Sequence, residues 1–194
     1  MFALPLAAVL AATPALDNDY VLVTRGQAVC EAADPARCGS RIVVALGPVA
    51  VESAGSVRAL ARGEVGVFGP TQSYRIEGRE YLEVVIRPGH PEAQPPPERI
   101  APEKNALLHD GGDFFVFEER LPPGETRARH SHSQRVVIQL NRTRLQQWPD
   151  GGAQVVVDTV PDRPSFSPPV VHRVRNIGDQ PLFGIIVEFR PGDR

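Results

Sequence analysis

Gly124-Glu125-Thr126-Arg127-Ala128-Arg129-His130-Ser131-His132, followed at once by Ser133-Gln134-Arg135-Val136-Val137-Ile138-Gln139-Leu140, is the stretch on which the reading of this chain turns. The second half is rich in β-branched residues and reads as a strand. Residues two apart on a strand point to the same face, so His130 and His132 project together into one interior. A third histidine, His172, opens another alternating run, Val170-Val171-His172-Arg173-Val174-Arg175-Asn176. Neutral imidazoles from adjacent strands can converge on a divalent transition metal. The competing reading is a set of buried, hydrogen-bonded core histidines. The same alternation sends Arg127 and Arg129 away from the histidine side, and likewise Arg173 and Arg175, as a solvated basic stripe. His90 and His109 fall in or beside a proline-rich stretch and are expected to face solvent.

Working outward, short β-branched or aromatic runs recur along the chain. They include Tyr20–Val23, Arg41–Leu46, Val65–Phe68 and Tyr81–Ile86 upstream, and Phe114–Phe117, Gln154–Val157 and Phe183–Phe189 downstream. Each is bounded by Gly, Pro, Asp or Asn. With 20 prolines and 17 glycines in 194 residues, the chain is built for many turns and short strands. Only Arg58 to Arg62 hints at a helical turn. Trp148-Pro149-Asp150-Gly151-Gly152 reads as a hairpin tip. The run Pro95-Pro96-Pro97 cannot lie inside a sheet, and residues 91–112 are expected as a linker. The flanks resemble each other. Cys38-Gly39-Ser40-Arg41-Ile42-Val43-Val44-Ala45-Leu46 falls without a gap on His132 to Leu140, and Phe68 to Ile76 falls on Phe166 to Val174 after a small length change. Residues 16–90 and 113–194 therefore read as two copies of one β unit. The other possibility is that residues 16–100 add strands to a single larger barrel.

Gly124, five residues and His130-Ser131-His132, then Pro168-Pro169 and His172, three residues and Asn176, with Gly178 and Pro181 beyond, resemble the two motifs of the cupin superfamily. The resemblance implies an all-β fold, a small antiparallel barrel or jelly roll, in a two-copy, bicupin-like arrangement. It also implies a metal, Fe, Mn, Ni or Zn, held by His130, His132 and His172. Many cupins add a glutamate a few residues after the second histidine. Here those places hold Gln134, Arg135, Val136 and Val137, so no carboxylate is available. Gln134 and Arg135 become candidate substrate-binding residues, with Arg135 orienting an anion if it turns inward. In the N-terminal copy Ala36, Cys38 and Tyr74 stand in the places of the three histidines, which marks that copy as degenerate.

A net charge of −2 and a pI near 6.2 give no electrostatic footprint for nucleic acid. Beyond the N-terminus no apolar run is long enough to span a membrane. Residues 1–15 are almost wholly apolar up to Ala12-Thr13-Pro14-Ala15 and read as a signal peptide, placing the protein in the periplasm or outside the cell. Cys30 and Cys38 then read as a disulfide closing a short loop, with two buried thiols as the alternative. No glycine-rich phosphate loop or Gly-x-Ser-x-Gly elbow is present. Two functions fit: a metal-dependent oxygenase or isomerase of a small anionic metabolite, or a non-catalytic module binding a metal or small ligand. A homodimer is compatible with either.

Overall fold

The computed structural model describes residues 13–29, 39–102 and 105–191, which form seventeen strands and no helix. The first half contains β1 (Leu16–Asp17), β2 (Val21–Arg25), β3 (Arg41–Ala45), β4 (Val49–Ser53), β5 (Ser56–Leu60), β6 (Val65–Phe68), β7 (Tyr74–Glu77) and β8 (Tyr81–Ile86). They make two antiparallel sheets, ordered β1-β2-β8-β3-β6 and β5-β4-β7. The second half contains β9 (Ala106–Asp110), β10 (Phe114–Leu121), β11 (Thr126–His132), β12 (Arg135–Gln139), β13 (Arg144–Pro149), β14 (Val155–Asp158), β15 (Pro164–Ser167), β16 (Val170–Asn176) and β17 (Leu182–Phe189). Its sheets are ordered β9-β10-β17-β12-β15 and β14-β13-β16-β11.

The two orders are the same order. β1 corresponds to β9, β2 to β10, β3 to β12, and so on through β8 and β17. Only β11 lacks a counterpart among the described residues. The chain is thus a tandem of two similar β units rather than one enlarged barrel. Pairing also corrects the superposition of Phe68 on Phe166. Phe68 lies opposite Arg41 as Ser167 lies opposite Arg135, so Val67 is the counterpart of Phe166. The reason is the face each serves. Val67 and Phe166 pack against the core between the units, while Phe68 points into its own barrel.

Two further expectations change. Arg58 to Leu60 belong to strand β5, paired with β4, and not to a helical turn. Ala106–Asp110, within the expected linker, pair with β10 as an edge strand. Residues 1–12 and 30–38 lie outside the described residues, and with them most of the signal-peptide segment and both cysteines.

Alternation divides each central strand between two cores. In β3, Ile42 and Val44 face the other unit and meet Val136, Ile138, Ile185 and Val187. Val43 and Ala45, one step along, pack inside the N-terminal barrel with Val51 and Tyr74. Fully burying each such aliphatic side chain contributes roughly 1.5–3 kcal/mol, so the inter-unit layer is a main element of stability. The units also lock at their rims. Arg62 donates to the carbonyls of Leu46 and Leu140 and to the Asp162 carboxylate. Beside it Gly63 adopts φ +87°, and a Cβ there would come within 2.3 Å of the Phe183 ring.

Candidate metal centre

His130 on β11 lies directly across the sheet from His172 on β16, and His132 is two residues further along β11. One ring nitrogen from each histidine lies within 4.8 Å of the others, and all three side chains are buried. The Nε2 atoms of His130 and His172 are 3.2 Å apart. Two nitrogens bound to one metal at 2.0–2.1 Å are spaced by about 2.9–3.4 Å, so this pair is already at ligand spacing.

The opposite ring nitrogens are all engaged by acceptors. His130 Nδ1 donates to the Ala128 carbonyl at 2.8 Å, and His132 Nδ1 to a Glu188 carboxylate oxygen at 2.7 Å. His172 Nδ1 donates to the Gln147 side-chain oxygen at 3.3 Å. With the proton on Nδ1, each Nε2 carries a free lone pair. Two such lone pairs facing each other at 3.2 Å repel, and a cation between them removes the repulsion. Outer hydrogen bonds of this kind fix the tautomer in metal-ligating histidines.

Charge fits the same reading. Burial pushes His130 down to about 4 and His132 and His172 down to about 2, with the nearby Arg127 and Arg135 cations adding to the effect. The imidazoles are therefore neutral at neutral pH, the form a metal requires.

Two carboxylates that the motif reading passed over flank the histidines. Glu188 on β17 holds His132 and also accepts the Ser133 N–H at 2.7 Å. Burial pushes it up to about 7, against the pull of the Ser133 N–H and Arg135. Glu119 on β10 lines the cavity and is paired with Arg127, both buried. Burial raises the Glu119 pKa, while Arg127 and Arg135 oppose the shift. A signal for both was in the sequence. Glu119 stands between Phe117 and Leu121 on one face of its strand, and Glu188 follows Ile186 in the same way. A carboxylate at an even step among apolar residues is a charge aimed indoors.

Arg127 does not face away from the histidines as alternation predicts. It pairs with Val174, whereas His130 pairs with His172, so β11 carries one extra residue over that span. This β-bulge inverts the alternation upstream and turns Arg127 inward. Besides Glu119 it holds the Arg120 carbonyl at 3.1 Å. Arg129, Arg173 and Arg175 are exposed as expected. Arg129 pairs with Glu98 and Asp150, and Arg173 lies 4.4 Å over the Trp148 ring.

Of the two candidate substrate-binding residues, Arg135 is brought to the histidines and Gln134 is not. Arg135 turns inward, lines the cavity, and anchors one nitrogen, Nη1, on the carbonyls of Ser133 at 3.2 Å and Pro168 at 2.8 Å. Gln134 faces the linker, where its side-chain oxygen accepts the Gln94 N–H at 2.9 Å. The linker also covers Ser131, whose N–H donates to the Ile100 carbonyl at 3.0 Å. His90 and His109 are half-buried rather than exposed. They rest against the rings of Phe189 and Phe114, away from the cluster.

Between the two sheets of the C-terminal unit lies a cavity of about 320 Å³, with His132, His172 and Arg135 among its lining residues. The equivalent space in the N-terminal unit is filled. Phe68 stacks on Tyr74 with centroids 4.2 Å apart, the Tyr74 hydroxyl donates to Glu83, and Arg41 lies 5.1 Å over the Tyr74 ring. Among the described residues the only group of three metal-type side chains is the C-terminal one.

No protein-family model and no curated protein matches the sequence. Solved structures do match in shape. A cupin 2 conserved barrel domain protein from Leptotrichia buccalis superposes with a TM-score of 0.55 at 12% identity, covering 94% of this chain and 93% of that one. The chain has the cupin fold. AerE from Microcystis aeruginosa agrees over 88% of this chain and 86% of its own, with a TM-score of 0.56 and 14% identity. So does Bacillus subtilis oxalate decarboxylase, in a structure described for its Mn(II) centers, over 90% of this chain and 69% of its own, with a TM-score of 0.53 and 13% identity. At such identities the likeness speaks for the fold. The three-histidine cluster in the C-terminal cupin unit is what fits a divalent metal.

Proposed function

We propose that the C-terminal cupin unit holds one divalent transition metal, Fe, Mn, Ni or Zn, on His130, His132 and His172, and binds a small anionic molecule beside it for oxygenase- or isomerase-type conversion. The observation that carries this is the set of three Nε2 lone pairs with every Nδ1 proton committed elsewhere. The Mn(II) centers of the similarly folded oxalate decarboxylase support the choice of a divalent ion. When bound, the metal supplies Lewis-acid polarisation of an oxygen on the ligand.

The chain's own residues do the rest. Arg127 and Arg135 balance Glu119 and Glu188 when both carboxylates are ionised, so the metal's charge of two is left to attract an anion. Arg135 orients it, and the two sheets exclude bulk water. Glu119, a buried carboxylate lining the cavity, is the group placed to hold or move a proton.

The test is the metal content of purified protein against a variant carrying His130→Ala and His172→Ala. A stoichiometric metal in the wild type, lost in the variant, is the expected result. No metal in either sample after reconstitution, with both folded by circular dichroism, would return the histidines to the core. Retained metal without turnover of any small acid would leave a binding module, a reading favoured by the tie between Glu119 and Arg127.

A further inference from the structure

The cavity beside the histidines has two unlike walls. One is the shared face of β12 and β15. From β12 it receives Arg135, Val137 and Gln139. From β15 it receives Ser167 and Ser165, which lie directly opposite Arg135 and Val137. Arg163, just before β15 begins, also lines the cavity, and continuing the register sets it beside Gln139. The other sheet contributes Leu145 and Val157, opposite each other on β13 and β14, with Val160 beyond them.

The charges on the lining sort in one direction. Its two carboxylates are each tied to an arginine outside the lining, Glu119 to Arg127 and Asp158 to Arg144. Its two arginines make no ion pair among the described residues. Arg135 is buried, spends Nη1 on the carbonyls of Ser133 and Pro168, and leaves Nε and Nη2 without a protein acceptor. Arg163 is exposed and none of its donors has a protein partner among the described residues. The Ser165 and Ser167 hydroxyls are likewise unengaged there, and the Gln139 side-chain oxygen is buried without a partner. By contrast Gln147 is held on His172, and Thr159 on the Asn141 carbonyl. The unengaged polar groups therefore form one row along the β12–β15 wall, with a cation at each end. From Arg135 to the level of Arg163 the row spans about 13 Å of strand.

We infer that the ligand is an elongated, hydroxylated diacid, with one carboxylate beside the histidines on Arg135, the second on Arg163 at the exposed end, and hydroxyls along Ser167, Ser165 and Gln139. Its carbon skeleton lies against Leu145 and Val157. This rests on the reading of the cavity as an anion site and narrows its occupant. A cavity of about 320 Å³ has the volume of about ten waters, room for a chain of about six carbons with its hydroxyls. A monoacid leaves Arg163 unused. Oxalate, whose carboxylates are joined by a single bond, is too short to reach both arginines.

The test is calorimetric titration of four acids into the protein as purified and after Mn(II) reconstitution. They are galactarate, a hydroxylated diacid; gluconate, of the same length with one acid group; adipate, a diacid without hydroxyls; and oxalate. Galactarate should bind about fivefold tighter than gluconate, the worth of a good ion pair at an exposed arginine. Arg163→Gln should bring the two to equal affinity, and about 0.5 M salt should shrink the difference in the wild type. Galactarate should also exceed adipate about threefold, a margin that Ser165→Ala reduces. Arg135→Gln should weaken every acid. Equal affinity for galactarate and gluconate, a preference that survives Arg163→Gln, or tightest binding by adipate or oxalate would overturn the inference, as would no binding by any of the four. Failure of the underlying reading shows separately. Affinities unmoved by Arg135→Gln would place the acids outside the cavity, and absent Mn(II) in the reconstituted sample would remove the metal alone, with the Arg163 comparison still read there.

Discussion

Replacing Arg127 by methionine removes the cation from a pair whose side chains are 1% exposed for the arginine and 10% for Glu119. The carboxylate stays where it is, since β10 is held along its length by β17 on one side and β9 on the other. Breaking one partner of a buried ion pair costs about 3–5 kcal/mol, mostly because the other charge is left uncompensated. For a chain of this size each kcal/mol moves the melting temperature by roughly 2–4 °C, so Arg127→Met should lower it by about 6–20 °C. Adding Glu119→Leu removes the stranded charge, and the double variant should return to within about 1–2 kcal/mol of the wild type. The deficit should also depend on pH, with a definite sign. Burial holds the Glu119 pKa above its unfolded value, and losing Arg127 raises it further. The native state then binds more protons than the unfolded state, so stability falls as pH rises through the folded pKa. The single variant should therefore lie nearest the wild type in acid and farthest in alkali. Thermal and urea unfolding of the four proteins at several pH values measures all of this. A double variant as unstable as the single one, with no pH dependence, would refute the argument and assign the cost to lost packing around the bulge.

Two further perturbations test other parts of the structure. Glu188→Gln keeps a hydrogen-bond acceptor on His132 but removes the charge that raises its basicity, so metal affinity should fall about 10–100-fold with little change in fold, as read by competition with a chelator. Gly63→Ala adds a methyl at φ +87° directly against Phe183, and should cost at least about 1–3 kcal/mol in unfolding experiments while leaving metal content untouched.

The fold and the histidines were legible because both depend on period-two alternation and on local spacing. His130 and His132 declare their shared face by being two apart, and His172 by opening a strand of its own. Arg127 was misread because a bulge is one residue whose effect is to cancel the alternation on which such a reading depends. Nothing in Thr126-Arg127-Ala128-Arg129 distinguishes the residue that is extra. Glu119 and Glu188 come from strands 13 and 56 residues from His132 in the sequence, so no spacing motif contains them. Their strands did carry the information, in the form of a carboxylate stepping in phase with apolar neighbours. The repeat was visible through Arg41 and Arg135, which begin equivalent strands. The one-residue error at Phe68 arose because matching phenylalanines by identity overrode the question of which core each one serves.

The layer that joins the two units has a bearing on how this protein responds to dilution. Ile42 and Val44 meet Val136 and Ile138 as the subunits of a homodimer would meet, yet residues 87–105 keep both partners on one chain. A short tether sets an effective concentration in roughly the millimolar range, whatever the concentration of the protein itself. The histidine-bearing barrel therefore never has to find its companion. That companion can fill its own interior with Phe68, Tyr74 and Arg41 and still supply the apolar wall behind β12, the strand that presents Arg135.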